Sequence, residues 1–241
     1  MYRCVEMRKM NSYAIVINGH RVSENGYKEL SRSSNSVDNE FFIEKFDAVT
    51  SETVDDLIQE LGIRWTWPHT GSEKDQKTGI TKTGYGGRDP KRRKACGMSH
   101  YMLWKQCAET NEPMIVFEHD AVFNCKLNYQ YLLDSHYQVI GLNDPRGATR
   151  LPNKYHEIVQ KSTEEILPVP KIDKEHIAQG IAGNSAYMIK SAGAQKLLDL
   201  VQEHGMWNND AIMCRQLMPD MIGVTKTYYT KTQKLPSTTM G

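Results

Sequence analysis

Two acidic residues follow a short apolar run near the middle of the chain. Residues 114–117 read Met-Ile-Val-Phe, and Glu118 and Asp120 follow them with His119 in between. Four consecutive apolar residues with a β-branched centre predict a buried strand of a parallel sheet. In open α/β sheets, ligands bind beyond the carboxyl ends of such strands. We therefore expect Glu118 and Asp120 to lie in a ligand site.

A cation is the expected companion of these two carboxylates, because removing charge from water without a partner is costly. Mg²⁺ and Mn²⁺ prefer oxygen ligands, keep several waters and often bridge to phosphate groups. The pattern therefore predicts a site for a metal ion and a diphosphate. The alternative is that Glu118 and Asp120 only cap the turn that follows the strand.

A first strand is predicted at residues 13–17, directly before the polar turn Asn18-Gly19-His20-Arg21. Asn18 and Arg21 would then emerge at the carboxyl end of a strand, where an arginine can pair with phosphate. A simple surface turn is the alternative for this segment.

Residues 66–94 are rich in glycine and are predicted to form a long loop with a basic end. That end could grip the phosphates of a nucleotide donor, contact a nucleic-acid backbone, or be only a solvated charge run. Its basic residues are Arg88, Lys91, Arg92, Arg93 and Lys94.

The second half of the chain contains two further segments of interest. Residues 150–180 look irregular and could form a lid or an acceptor wall. Residues 221–241 form a basic tail in which lysines alternate with Tyr228 and Tyr229. Such a tail could hold a phosphate backbone and stack bases, or be a frayed terminus.

Apolar spacing also predicts helices that begin at three serine caps, Ser51, Ser99 and Ser191. In the helix after Ser99, five residues share one face at helical spacing. They are His100, Leu103, Trp104, Cys107 and Ala108.

The 241 residues are enough for one large α/β domain or two small ones, and we expect a single domain over residues 1–241. The hydrophobic content of 39% and the net charge of +1 give no global signal for nucleic acid or membrane. Residues 1–11 lack an apolar secretory segment, and no run approaches the ~18 apolar residues of a membrane span. The five scattered cysteines predict a reducing cytoplasm, in a bacterium or a phage-infected host, and argue against a cysteine–zinc cluster or a disulfide frame.

Three segments, in order, resemble glycosyltransferase family 25, the lipooligosaccharide and procollagen galactosyltransferase type. Residues 17–21 are similar to the opening Ile-Asn-x-x-Arg of that family. Residues 95–121 resemble its block of Gly-Cys-x-x-Ser-His-x-x-x-Trp followed by Pro and Leu-Glu-Asp-Asp-Ala. Residues 183–198 resemble its Gly-Thr-x-Ala-Tyr-x-Ile-Ser block. The chain departs from the pattern at Cys96-Gly97, where the order is inverted, and at His119, where the family has Asp.

The resemblance implies a glycosyltransferase-A fold, which is Rossmann-like, with a mixed, mostly parallel sheet flanked by helices. It also implies a nucleotide-diphosphate-sugar donor, usually a UDP-sugar, and a divalent metal ion, commonly Mn²⁺. By carry-over, Asp120 is the first metal ligand and Glu118 the second, while His119 contacts the ribose or the metal.

The same resemblance assigns roles to residues outside the acidic triplet. Asn18 and Arg21 would lie near the nucleotide, and Asn184 near the donor sugar or the acceptor. Asp210 matches the acid that closes the third block, so we expect it to act as general base or to orient the acceptor. A helix cap is the alternative role for Asp210.

The acceptor is open at this stage. Local positive charge favours a hydroxymethylated base in DNA, as in phage DNA modification, because such an enzyme must hold the backbone. A lipooligosaccharide or another surface glycan is the alternative. A binding module without turnover and a metal-dependent nuclease that uses Glu118 and Asp120 are two further classes.

Overall fold

The framework of the protein is a seven-stranded sheet accompanied by two small two-stranded sheets. The computed structural model describes residues 10–236 and 238. The strands are β1 (Asn11–Val16), β2 (Glu44–Asp47), β3 (Ser72–Lys74), β4 (Thr81–Thr83), β5 (Met114–Glu118), β6 (Ala121–Phe123), β7 (Val139–Gly141), β8 (Ile166–Pro168), β9 (Ala186–Ile189), β10 (Ile222–Thr225) and β11 (Thr230–Thr232).

The large sheet has the order β2-β1-β5-β9-β7-β10-β8. β1 pairs in parallel with β2 and β5, and β10 pairs in parallel with β7, whereas β9 and β8 run antiparallel to their neighbours. Five of the seven strands therefore run in one direction. This confirms the predicted mixed, mostly parallel sheet and the interior position of β5.

Helices cover both faces of this sheet. They are α1 (Arg21–Ser36), α2 (Val54–Glu60), α3 (Pro90–Thr110), α4 (Tyr129–Asp134), α5 (Pro152–Lys161), α6 (Ser191–His204) and α7 (Asn209–Ile212). Because successive side chains of a strand face opposite sides, Met114 and Val116 join the core shared with α3 and α6. Ile115 and Phe117 join the core shared with α1 and α4.

α3 begins ten residues earlier than the sequence predicted. Asp89 is its N-cap and accepts a hydrogen bond from the Lys91 backbone N–H at 2.9 Å, while Pro90 occupies the first helical position. Both residue types are favoured at these positions. Ser99 lies inside the helix, donates to the Ala95 carbonyl oxygen at 2.8 Å and is buried, so it is not a cap.

The other predicted serine caps are displaced as well. Thr53 is the N-cap of α2 in place of Ser51, and Lys190 is the N-cap of α6, so Ser191 is the first residue of that helix. The predicted inward face of α3 is confirmed, since four of its five residues are buried. They are His100, Leu103, Trp104 and Cys107.

Three segments predicted as irregular contain regular structure. Residues 66–94 hold the hairpin of β3 and β4 and the first turn of α3, and residues 150–180 hold α5 and β8. The predicted tail contains β10, which joins the large sheet, and β11, which pairs with β6. β3, β4 and β11 are three-residue strands of mostly polar residues, and such strands carry a weak periodic signal, which explains why the sequence pattern missed these three.

In the described part of the chain no helix combines the length and apolarity that a membrane crossing requires. The predicted absence of a secretory segment concerns residues 1–11, of which 1–9 lie outside the described residues, as do 237 and 239–241 of the predicted tail.

Candidate active site

A cavity of about 430 Å³, the first cavity, opens where β1 and β2 end. Polar residues that follow these two strands meet one face of α3 there. The lining includes Asn18, His20, Val49, Thr50, Arg92 and Ser99. The carboxyl ends of neighbouring parallel strands are where α/β sheets bind ligands, so the sheet topology places this cavity at the expected edge.

A second cavity, also of about 430 Å³, lies next to the first. It is bounded by the loop before α3, by the segment between α5 and β9, and by α7. Its polar lining includes Tyr85, Arg93, Arg150, Asn184, Asn208 and Asp210.

The acidic turn after β5 separates the two cavities. Glu118 is the last residue of β5, and His119 and Asp120 form the turn that leads into β6. His119 borders the first cavity, Asp120 borders the second, and Glu118 borders both. Cys96 of α3 also borders both cavities. A ligand that spans the two cavities must therefore pass Glu118 and Cys96.

Gln233, from the segment after β11, holds this turn in place. Its backbone N–H donates to the Asp120 carbonyl oxygen at 2.7 Å. Its side-chain amide donates to the carbonyl oxygens of Ala121 at 2.8 Å and Gly26 at 2.9 Å. A Cβ atom added to Gly26 would lie 2.6 Å from the His119 carbonyl oxygen, so α1 also approaches the turn closely. The backbone beneath the acids is thus fixed from two sides.

Three buried side chains in a row support Glu118. The Nε2 atom of His100 lies 3.3 Å from a Glu118 carboxylate oxygen, its Nδ1 atom lies 2.9 Å from the Tyr187 hydroxyl, and Trp104 Nε1 donates to that hydroxyl at 2.9 Å. An ionised carboxylate only accepts and an indole N–H only donates. In the tautomer that carries its proton on Nε2, His100 donates to Glu118 and Tyr187 donates its O–H to Nδ1. We call these three residues the relay.

Burial and charge perturb the titration of the acids at this site. Burial first, and then the neighbouring Glu118 carboxylate, raise the pKa of Asp120 to about 7. Asp210 is open to the second cavity, yet the enclosing walls raise its pKa, Glu118 adds to the effect, and Arg93 opposes it. Burial lowers the pKa of His119, which favours the neutral imidazole. Charged acids are therefore disfavoured here unless a cation joins them.

Several buried polar atoms that line the second cavity lack a hydrogen-bond partner among the described residues. They are Asp120 Oδ1, Asn184 Nδ2 and Oδ1, Ser185 Oγ and Asn208 Nδ2. Leaving such atoms unsatisfied costs about 1–3 kcal/mol each, so their concentration in one cavity indicates a polar ligand with many hydroxyl or oxygen groups.

The Glu118 and Asp120 carboxylates fit a hard divalent cation. Asp120 has a buried oxygen for which the described part of the chain offers no hydrogen-bond partner, and the neighbouring Glu118 carboxylate disfavours its charge. A cation would remove both penalties, because oxygen ligands suit Mg²⁺ and Mn²⁺.

Comparison with known protein families shows to which family the chain belongs. The profile of glycosyltransferase family 25 (LPS biosynthesis protein) matches residues 28–213, which is most of the chain. The chain belongs to glycosyltransferase family 25.

This membership makes the protein a glycosyltransferase, and the α/β architecture with its mixed central sheet agrees with it. No curated protein matches the chain. Among solved structures, the apo form of mouse xyloside xylosyltransferase 1 aligns with a TM-score of 0.46 and 6% sequence identity. The alignment covers 90% of this chain and 85% of that one.

In this family 25 glycosyltransferase, most of the residues predicted to form the site line the two cavities. They are Asn18, Arg93, Glu118, His119, Asp120, Asn184 and Asp210. Arg21 is the exception, because α1 begins at this residue and Arg21 is exposed without lining either cavity. The turn at Asn18 and Gly19 thus turns the chain into a helix before Arg21 reaches the site. Asp210 lies in the first turn of α7, of which Asn208 is the N-cap.

The basic run does not form one charged surface on this glycosyltransferase. Lys91 and Lys94 both pair with Asp55 of α2, at 2.9 and 3.0 Å, and Arg92 lies 3.8 Å from Asp89. Arg93 lines the second cavity, with its guanidinium 4.5 Å from the centre of the Tyr85 ring. Consecutive residues of a helix point in different directions, so these basic side chains do not share one face. Their acidic partners also neutralise part of the positive charge.

The aromatic residues of the predicted tail are also used within the fold. Tyr229 is buried, and the Tyr228 hydroxyl lies 3.0 Å from His156 Nδ1. Lys226 donates to the Ser162 carbonyl oxygen at 2.7 Å. A stacking platform for bases needs exposed rings, and Tyr229 does not offer one.

Sequence reasoning missed several residues that shape the site. Tyr85 and Arg150 line the second cavity, and Gln233 holds the acidic turn. The flanking Gly84 and Gly86 were a signal for Tyr85, because glycines on both sides mark a backbone that turns sharply. No local signal distinguishes Gln233, whose partners are distant in the chain.

Proposed function

We propose that this glycosyltransferase moves a sugar from a nucleotide-diphosphate sugar, in the first instance a UDP-sugar, to a hydroxyl group of a glycan. The observation that carries the proposal is the set of unpartnered polar atoms on Asp120, Asn184, Ser185 and Asn208 in the second cavity. A sugar offers the many hydroxyl groups that such atoms require.

The first cavity suits the nucleoside of the donor. It lies at the carboxyl ends of β1 and β2, and Asn18 and His119 offer polar groups to the base and ribose. The diphosphate would then lie beside Glu118, where the two cavities meet, and the sugar would enter the second cavity. Arg93, which lines the second cavity together with Glu118, would bind the negative charge of the donor.

Asp120 and Glu118 would hold the divalent cation, with Mn²⁺ as the first candidate and Mg²⁺ as the second. A cation bound there would neutralise the charge that develops on the leaving diphosphate. The relay contributes by holding Glu118 through the His100 side chain, and Gln233 contributes by fixing the backbone of Asp120.

Asp210 is the proposed general base or acceptor-orienting residue. It borders the second cavity, and the enclosing walls raise its pKa, so its carboxylate is a stronger proton acceptor than a carboxylate in open solvent. Its carboxylate would take the proton of the acceptor hydroxyl as the sugar is transferred. Asn184 would bind the donor sugar or the acceptor.

We propose a glycan as the acceptor, because the description of the family names lipopolysaccharide biosynthesis. The argument for DNA depended on a basic run and a basic tail. Lys91, Lys94 and Lys226 are instead engaged within the fold, and Tyr229 is buried. No observation in the described residues favours a nuclease over sugar transfer.

The test is a donor panel with matched acceptors. The protein is incubated with UDP-, GDP- and CMP-sugars and Mn²⁺, with lipooligosaccharide fragments or duplex DNA carrying hydroxymethylated bases. Release of the nucleotide product and the mass of the acceptor are measured. We expect nucleoside diphosphate release with a UDP-sugar and a hexose or pentose mass added to the glycan. Modification of the DNA alone would overturn the acceptor, and no release from any donor would overturn the donor.

A further inference from the structure

Cys96, His100 and Glu118 form a second type of ligand set inside the candidate active site. One ligand atom from each, the Cys96 thiol sulfur, a His100 ring nitrogen and a Glu118 oxygen, lie within 4.8 Å of one another. Cys96 and His100 are one turn apart on α3, and Glu118 ends β5. The i and i+4 positions of a helix face the same way, so α3 presents sulfur and nitrogen side by side to the carboxylate.

We propose that these three residues bind a thiophilic divalent cation such as Zn²⁺, at a position different from the oxygen pair of Asp120 and Glu118. Sulfur, imidazole and carboxylate are the three ligand types of protein zinc sites. The same set is poor for Mg²⁺ and Mn²⁺, which prefer oxygen alone. Three protein ligands leave one position open for water or a ligand, which is typical of accessible zinc sites.

The surroundings of the three residues suit this role. The His100 ring is fully buried and fixed through its other nitrogen by Tyr187, an arrangement that orients metal-binding histidines in general. When Nε2 binds a cation, Nδ1 carries the proton and donates to the Tyr187 oxygen, which has one lone pair left beside the Trp104 hydrogen bond.

Charge and access also favour a cation there. The Glu118 and Asp210 carboxylates both lie near the Cys96 thiol. These acids create a negative surrounding in which a cation is favoured, and binding releases the thiol proton to solvent. Cys96 borders both cavities, so an ion can reach it from the donor side or the acceptor side.

One consequence rests on the proposed function. Because Glu118 belongs to both ligand sets, Zn²⁺ at Cys96 and His100 would withdraw it from the donor metal and inhibit sugar transfer. Raising Mn²⁺ should relieve this inhibition if Zn²⁺ takes Glu118 as a ligand.

The test uses Co²⁺ and Cd²⁺ as probes, without any donor, on the full chain treated beforehand with a chelator. A thiolate ligand gives a sulfur-to-metal charge-transfer band in the ultraviolet. We expect one equivalent of Cd²⁺ to produce the band in the unmutated protein and in Cys125→Ser, whose cysteine is similarly half-buried. Cys96→Ser should lose the band and bind Cd²⁺ at least about tenfold more weakly. No band in the unmutated protein, or a band that survives in Cys96→Ser, would overturn the site.

A measurement without any substitution guards against a variant that does not fold. Cd²⁺ should protect Cys96, and not Cys125, from alkylation in the unmutated protein, as mapped by peptide mass spectrometry. Equal protection of both or of neither overturns the site. Mn²⁺ binding, followed by electron paramagnetic resonance in the same samples, tests the oxygen pair separately. Its absence would count against the proposed donor metal and leave the cysteine site untouched.

Discussion

A hydrogen bond connects His100 to Glu118 at the boundary of the two cavities, where the imidazole Nε2 lies 3.3 Å from a carboxylate oxygen. The imidazole is fully buried, whereas the carboxylate is partly open to both cavities. A buried imidazole N–H that donates to a partly exposed carboxylate fixes the orientation of that carboxylate. Glu118 therefore remains available to a cation while its position is fixed by the relay.

Tyr187→Phe tests whether the relay fixes Glu118. The substitution removes the O–H that donates to His100 and leaves the Trp104 N–H without its acceptor. We expect a loss of about 1–3 kcal/mol in the free energy of unfolding and weaker Mn²⁺ binding, measured by denaturation and by metal titration. Tyr101→Phe, which changes a half-buried tyrosine next to His100 on α3, is the matched control. Mn²⁺ affinity unchanged in Tyr187→Phe would contradict a positioning role.

Asp120→Asn should make the metal-free protein more stable at alkaline pH. The carboxyl pKa is about 7 in the folded chain and about 4 in an unfolded one. The folded state therefore binds more protons between these values, and its stability falls as the pH rises through that range.

Asparagine removes this dependence. With chelator present, we expect a gain on the order of 4 kcal/mol at pH 8 and little change at pH 4, measured by thermal unfolding. Mn²⁺ should stabilise the unmutated protein but not the variant. Asp56→Asn, an exposed acid on α2, is the control. Equal effects of Asp120→Asn on thermal stability at pH 4 and pH 8 would contradict the raised pKa of the Asp120 carboxyl.

Asp210→Asn should spare donor binding and depress turnover. The amide retains the shape of the side chain but cannot take a proton from the acceptor hydroxyl, which removes about 100-fold to 10,000-fold in rate. UDP-sugar affinity, measured by calorimetry, should change little, because the acid borders only the second cavity. Full activity in the variant would remove Asp210 from the mechanism and leave it a structural residue of α7.

Gln233→Ala should loosen the acidic turn. It removes the side-chain hydrogen bonds to Ala121 and Gly26 and keeps the backbone bond to Asp120. We expect Mn²⁺ affinity to fall about tenfold, as for other residues that support metal ligands, with a small effect on overall stability. Gln195→Ala, which alters an exposed hydrogen bond on α6, is the matched control. An unchanged Mn²⁺ affinity would show that the acidic turn keeps its conformation without the Gln233 side chain.

The acidic turn and its strand were predictable because their signal is local. Four apolar residues before Glu118 indicate a buried strand, and the apolar face of α3 follows from helical spacing. The resemblance to family 25 depended on the same kind of ordered, short-range pattern, and it anticipated Asp210 and Asn184, whose positions on the second cavity no spacing rule would reveal.

The local cluster of positive charge was the least reliable basis for predicting the acceptor. Five basic residues within seven positions suggested a surface for DNA, yet Asp55 pairs with Lys91 and Lys94 and the Tyr85 ring lies against Arg93. A sequence lists charges without their partners, and electrostatic effects depend on distance and burial.

By itself, then, the sequence determined the strands and helices with strong periodicity, the acidic pair and the family. Only the tertiary structure decided that Glu118 and Cys96 stand where two cavities meet, that Arg21 stays outside them, and that Gln233 holds a turn 114 residues away. The physical reason is that apolar periodicity is written into neighbouring residues, whereas hydrogen bonds, ion pairs and cavity walls form between side chains that only the folded chain brings together.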